Sequence, residues 1–145
     1  MLVSFSKCCG QRIVTPLTRY LTRPHAPALI DRYNSVNGVP TCTNGGLIDT
    51  IARKTFGFEG FVVSDYDAWQ NIVTTHGYVK TYAEAAAVGL TAGLDQEGGG
   101  GPTYPPVQQG IPAALADGTV TLAQLETAVR RLMLSRLRLG MFGEP

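Results

Sequence analysis

The chain has 145 residues, 44% of them hydrophobic and 16% charged, with a formal net charge of +1. That length suits one domain or part of a larger one, the apolar content can fill a core, and the low charge argues against a disordered chain. A near-neutral balance gives no electrostatic reason for a nucleic-acid or acidic-membrane partner, and no apolar run approaches the roughly 18 residues of a membrane span.

Residues 1–27 show no clean periodicity and are interrupted by Pro16, Pro24 and Pro27. They carry Lys7, Arg12, Arg19 and Arg23 with no acid, which is the composition of a transit peptide. An irregular N-terminal segment is the plainer expectation, and no secretory stretch is visible, so location stays open. The cysteines, Cys8, Cys9 and Cys42, have neither a disulfide framework nor a zinc spacing. The histidines, His25 and His76, are far apart, so no metal and no cofactor is expected.

From Ala28 the text changes. Ala28–Ile30 opens a short strand, with Asp31 and Arg32 following at once. Asn34–Pro40 is loop chemistry, because Asn37-Gly38 tolerates positive φ and Pro40 punctuates. A helix follows over about Asn44–Thr55. Thr43 is a candidate cap, Leu47, Ile48, Ile51 and Ala52 share one face, and Gly57 stands past the end. Phe61-Val62-Val63 does not alternate and reads as a strand buried on both faces.

The next helix runs from Tyr82 to about Ala92. Thr81 and Glu84 have the spacing of a capping box, and Gly93 closes it. Leu94–Glu97 is a candidate short strand, Gly98–Pro102 a loop, and Ile111–Ala116 a short helix with Pro112 in its first turn. The last helix starts at a second capping box, Thr121 with Gln124. Leu122, Leu125, Val129, Leu132, Met133 and Leu137 share one apolar face, and Gly140 ends it. Strands alternating with helices predict a parallel α/β unit.

In parallel α/β structure, ligands meet the carboxyl ends of strands, and Asp65 stands at that end of the strongest strand. A carboxylate held firmly there yet reachable suits a nucleophile. The plainer alternative is that Asp65 or Asp67 caps the following segment, with Trp69 a core residue. The glycine run lacks the lysine and the following helix of a phosphate loop, so it reads as a flexible connection.

The stretch RYNSVNGVPTCTNGGLIDTIARKTFGFEGFVVSDYDAW resembles the glycoside hydrolase family 3 N-terminal domain, a family that includes β-glucosidases and β-xylosidases. The likeness joins an S-Y-N…N-G-x-P segment to a W-G-F-x-G-[FY]-V-x-S-D-[WY] strand. It continues through AEAAAVGLTAGLDQE to RRLMLSRLRLGMF. It implies a partial (β/α)8 TIM-type barrel over residues 28–145. A complete barrel needs roughly 250 residues, so about the last three strand–helix units are expected here.

The resemblance further implies retaining hydrolysis of a β-linked glycoside. Asp65 matches the nucleophile, Tyr33 the tyrosine at the floor of the sugar site, and Tyr66 the aromatic position facing the sugar. Asp67 is expected to shape the loop. The chain departs from the pattern at Asp31 and Arg32, where the family has small or apolar residues. The family's sugar-clamping aspartate, arginine and Lys-His pair have no match before Tyr33. Its acid/base is expected on a second domain; Glu59 precedes the strand and Glu97 follows the next one, which makes Glu97 at most a stand-in acid. A truncated chain with low or no activity alone is therefore expected, or else a catalytically inactive carbohydrate-binding or interaction fragment. A part-barrel also leaves strand edges open to self-association.

Overall fold

A computed structural model describes residues 27–99 and 105–143. The basic N-terminal segment with Cys8, Cys9 and His25, and the glycine run from Gly100 onward, lie outside the described residues. Strand β1 (Ala28–Asp31) is followed by a two-residue hairpin, β2 (Ser35–Val36) and β3 (Val39–Pro40). Asn37 (φ 53°) and Gly38 (φ 80°) form its turn, the left-handed pair that a two-residue hairpin requires. Helix α1 (Gly46–Thr55), wound as a π-helix, leads to β4 (Phe61–Ser64), the short α2 (Asn71–Thr74) and α3 (Tyr82–Ala92). A π-wound turn, Pro106–Gly110, runs into α4 (Ile111–Ala116), and α5 (Leu122–Arg138) is the longest element.

β1 and β4 pair in parallel, Leu29 opposite Val62 and Asp31 opposite Ser64. On β4's other side the segment after α3 adds a single parallel bridge, Val63 to Gln96. The strand expected over Leu94–Glu97 thus shrinks to one residue. The reason is local: the Val62 amide, which would extend the ladder, donates to the Asp95 carboxylate at 2.9 Å instead of to a backbone carbonyl. The α/β class holds for the described piece.

β4 is not buried on both faces as its apolar run suggested. Val62 and Ser64 are buried while Phe61 and Val63 are half-buried. Helices cover the Leu29–Val62 face. On the opposite face Ile30, level with Val63, is 68% exposed. The core lies wholly on the helix side and gathers Ile48, Phe58, Val62, Trp69, Ile72, Leu90 and Leu94.

α3 occupies the centre of that core. Its alanines and Gly89 are mostly buried, which fits a helix apolar on nearly every side. Small residues let neighbours close in. A Cβ on Gly89 would lie 2.6 Å from Trp69 Nε1, and one on Gly110 would collide with the Tyr82 carbonyl. The capping boxes at Thr81/Glu84 and Thr121/Gln124 both form as the spacing predicted.

Two expectations about helices change. Thr43 does not cap α1, since its hydroxyl donates back to the Pro40 carbonyl at 2.9 Å. The Asn44 side chain accepts from the Leu47 amide instead. On α5 the apolar stripe is not the buried stripe. Ala128 and Ser135 are buried, whereas Leu122, Val129, Met133 and Leu137 are exposed. Arg131 sets the rotation by reaching the buried Asp95 at 2.9 Å, and only small residues fit beside that approach. No helix among the described residues is long and apolar enough to cross a membrane.

Candidate active site

The parallel ladder delivers Asp65 to the rim of the sheet. Its amide donates to the Asp31 carbonyl at 2.8 Å, continuing the β1–β4 pairing by one residue. The chain then turns sharply, with the Ala68 amide returning to the Asp65 carbonyl at 3.0 Å. One carboxylate oxygen of Asp65 accepts from the Tyr66 amide at 2.8 Å, which fixes the side chain. The group is half-buried, firmly held and open to solvent on one side.

Tyr33, just after β1, faces Asp65 across the rim, with its phenol near enough to the carboxylate to feel its charge. The phenol is pushed above its usual range, first by partial desolvation and then by the negative charge of Asp65. Tyr66 is 61% exposed, so its ring is free to cover the apolar side of a ligand. The sequence-predicted trio is therefore gathered at one rim.

Asp67 shapes the loop. It takes a left-handed backbone (φ 56°), its amide donates to the Gly98 carbonyl at 3.1 Å, and its carbonyl accepts from Asn71 at 2.9 Å. Gly98 makes that approach possible, since a Cβ there would run into the Ser64 carbonyl. The Gly98 amide donates to the Ser64 hydroxyl at 3.0 Å, tying the next segment to the end of β4. Trp69 is a core residue, buried, with Nε1 donating to the Ala85 carbonyl at 2.7 Å.

The other acids are placed elsewhere. Glu59, before β4, is exposed and pairs with Arg138 at 2.9 Å, at the end of the strand opposite Asp65. Glu97 is on the correct rim and the wrong face. The Val63–Gln96 bridge sets it level with Ser64, whose side chain is buried against the helices. There Glu97 is itself buried, one oxygen has no partner, and burial raises its carboxyl to about 7. On Asp65's own face that segment offers Gln96, an amide and no acid. Asp31 also lies on the helix side, where burial raises it; one of its oxygens accepts from the Arg32 amide at 2.8 Å and the other, buried, has no partner.

Sequence reasoning missed His76. Its Nε2 lies 2.8 Å from the Tyr33 carbonyl and its Nδ1 3.3 Å from the Ser35 hydroxyl. The sequence separation is 43 residues, and no local pattern marks such a pair. It missed Asp95 as well, the buried carboxylate shared by Arg53 at 2.7 Å and Arg131 at 2.9 Å.

Residues 27–134 match the Glycosyl hydrolase family 3 N terminal domain. A probable β-D-xylosidase 6 of Arabidopsis thaliana is 39% identical over 121 residues, 83% of this chain and 14% of that protein. An exo-1,4-β-xylosidase of Aspergillus niger is 39% identical over 112 residues, 76% of this chain and 13% of its own length. Among solved structures, a β-glucosidase from Erythrobacter marinus superposes with a TM-score of 0.81 at 30% identity, covering 90% of this chain and 17% of that one. A family 3 exo-β-xylosidase in complex with a xylobiose aziridine activity-based probe gives 0.72 at 33%, over 79% of this chain and 14% of that one. The chain thus spans about 14% of the length of the curated β-D-xylosidase it resembles.

Proposed function

The chain belongs to glycosyl hydrolase family 3, as part of the family's N-terminal domain, and on that premise we propose that Asp65 is the nucleophile of a retaining glycosidase. The observation that carries this reading is the Asp65 carboxylate at the carboxyl end of β4, fixed by the Tyr66 amide at 2.8 Å and facing the Tyr33 phenol. Asp65 attacks the anomeric carbon as the bond to the leaving oxygen breaks. A glycosyl ester forms, and water then cleaves it with net retention. Tyr33 orients the carboxylate along the line of attack, and the exposed ring of Tyr66 stacks on the sugar. The named relatives support a terminal β-xyloside as substrate, with a β-glucoside second.

A proton must reach the leaving oxygen from a second carboxyl about 5–5.5 Å from the nucleophile. Glu59 stands at the opposite end of β4, and Glu97 is turned to the helix side. We therefore expect low or no turnover from this chain alone. The domain portion runs over residues 28–145, about the last three strand–helix units of a (β/α)8 barrel. Residues 1–27 stay outside it. Among the described residues β1 pairs only with β4, which supports self-association along its other edge.

The test uses a 2-deoxy-2-fluoro-β-glycoside with a dinitrophenolate leaving group. Such a leaving group departs without protonation, so the nucleophile is read even where the acid is lacking. The expected result is an ester on the peptide carrying Asp65, seen by mass spectrometry and absent in Asp65→Asn. Labelling of any other residue overturns the assignment. A second reading, a sugar-binding surface without turnover, is favoured by the placement of Glu59 and Glu97 away from the face that carries Asp65. Saturable binding of the sugar with no ester would select it.

A further inference from the structure

We propose that His76 is a positioning residue that locks the Tyr33 segment to the Asp65 segment and so sets the phenol against the carboxylate; this rests on the reading of Asp65 and Tyr33 given above. Tyr33 lies in an irregular stretch between β1 and β2, with its side chain 46% exposed, so packing does little to fix it. Three consecutive carbonyls hold that stretch in place. The Arg32 carbonyl accepts from the Thr41 hydroxyl at 2.5 Å and the Asn34 carbonyl from the Thr41 amide at 3.0 Å. Both bonds are internal to the β1–β3 region. Only the Tyr33 carbonyl is held from the chain that carries Asp65, through His76 Nε2 at 2.8 Å.

His76 is itself well anchored. It follows α2, its amide donates to the Asn71 carbonyl at 2.8 Å, and Ile72 in the same turn is fully buried. The Tyr78 amide returns to the Ile72 carbonyl at 2.9 Å, closing the loop behind it. Asn71 in turn donates to the Asp67 carbonyl, so a short run of hydrogen bonds leads from the Asp65 turn to the imidazole. A carbonyl can only accept, so Nε2 carries the proton. Nδ1 is then free to accept from the Ser35 hydroxyl at 3.3 Å. One ring thus holds both the Tyr33 carbonyl and the Ser35 side chain two residues on. The imidazole neither reaches Asp65 nor reacts; it acts through Tyr33.

The test needs no substrate, so its outcome is separate from that of the fluorosugar experiment. In the full chain with 13Cζ-labelled tyrosine, Tyr33 is assigned by Tyr33→Phe and its phenol titrated. The parent should titrate above ordinary tyrosine, and Asp65→Asn should move Tyr33 back toward it. His76→Phe should do the same with Asp65 intact. His76→Gln, whose amide still donates to the Tyr33 carbonyl, should retain most of the raised titration. An unchanged Tyr33 titration in His76→Phe overturns the proposal. If His76→Phe does not fold, the imidazole of the parent decides. Long-range 1H–15N spectra must show the Nε2–H tautomer at neutral pH, and an Nδ1–H tautomer overturns the proposal. A Tyr33 response as expected alongside a fluorosugar that never labels Asp65 keeps the positioning role and sinks the glycosidase reading.

Discussion

The two ends of β4 are built in opposite ways. At its beginning, Asp95 is fully buried and receives Arg53, Arg131 and the Val62 amide, while Arg53 also reaches the Gly60 and Gly93 carbonyls and lies 5.5 Å from the Phe58 ring. At its end, Asp65 is half-buried, takes a hydrogen bond from one backbone amide, lies near the Tyr33 phenol, and faces loops tied by solvent-side bonds. One end welds α1, β4 and α5 together, and the other presents a carboxylate. A strand fixed at its back can hold a reactive group at its front without that group contributing to the fold. The division matches parallel barrels in general, where stability gathers at the amino ends of strands and chemistry at the carboxyl ends.

The sharpest way to break this contrast is Asp95→Ala. It strands two arginines in a buried site and leaves the Val62 amide unpaired, and loss of one partner of such a cluster costs about 3–5 kcal/mol. Urea unfolding should show that loss, and fluorosugar labelling should vanish with the fold. A stability change below about 1 kcal/mol would mean the back of β4 is no anchor.

The pH dependence of stability probes the helix-side carboxyls under the rim. Glu97 is raised from 4.5 to about 7, chiefly by burial, and Asp31 is raised for the same reason. The native state therefore holds these protons more tightly than the unfolded chain. Glu97's contribution is complete below its unfolded value and is lost as pH rises from about 4.5 through about 7, and that of Asp31 is lost in the same direction. For Glu97 the span is worth up to about 3 kcal/mol. Urea midpoints at pH 5 and pH 8 should differ in that direction, and Glu97→Gln should flatten the difference. An equal slope in the variant would show that Glu97 is not buried as described.

What the sequence made legible was local. Thr81 with Glu84, Thr121 with Gln124, Asn37-Gly38 and the closing Gly93 each act within a few residues, so spacing alone identifies them. The trio Tyr33, Asp65 and Tyr66 was legible through motif resemblance. What stayed hidden depends on how elements are rotated against each other. Arg53 and Arg131 meet Asp95 over separations of 42 and 36 residues. Arg131 in turn decides which face of α5 is buried, so Ala128 packs inward while Leu122 and Leu137 do not. An apolar stripe says that a helix has a hydrophobic side; the polar anchor decides whether that side is the covered one.

Gly89→Ala carries the contrast into the core with a smaller expected effect. Alanine favours the helix by about 1 kcal/mol. Its methyl, however, would meet the rigid indole of Trp69 at 2.6 Å and strain the 2.7 Å bond from Nε1 to Ala85. Overpacking of that kind costs about 1–3 kcal/mol, so a net loss near 1 kcal/mol is expected. Trp69 is the sole tryptophan, so its emission should shift and the urea midpoint should fall. A gain in stability without a spectral change would show that the indole has room to move.

Asp65→Asn should change stability least of all and function most. The amide oxygen can still accept from the Tyr66 backbone at the place where the carboxylate does so at 2.8 Å, so the turn keeps its support. No cation pairs with Asp65 among the described residues, and a half-buried rim residue of this kind usually shifts stability by less than about 0.5 kcal/mol. The amide is nevertheless too weak a nucleophile to attack an anomeric carbon, so ester formation should stop. Calorimetry and labelling on the same preparation test both halves. A loss of stability comparable to that of Asp95→Ala would mean that the front of β4 also holds the fold, and the division between its two ends would fail.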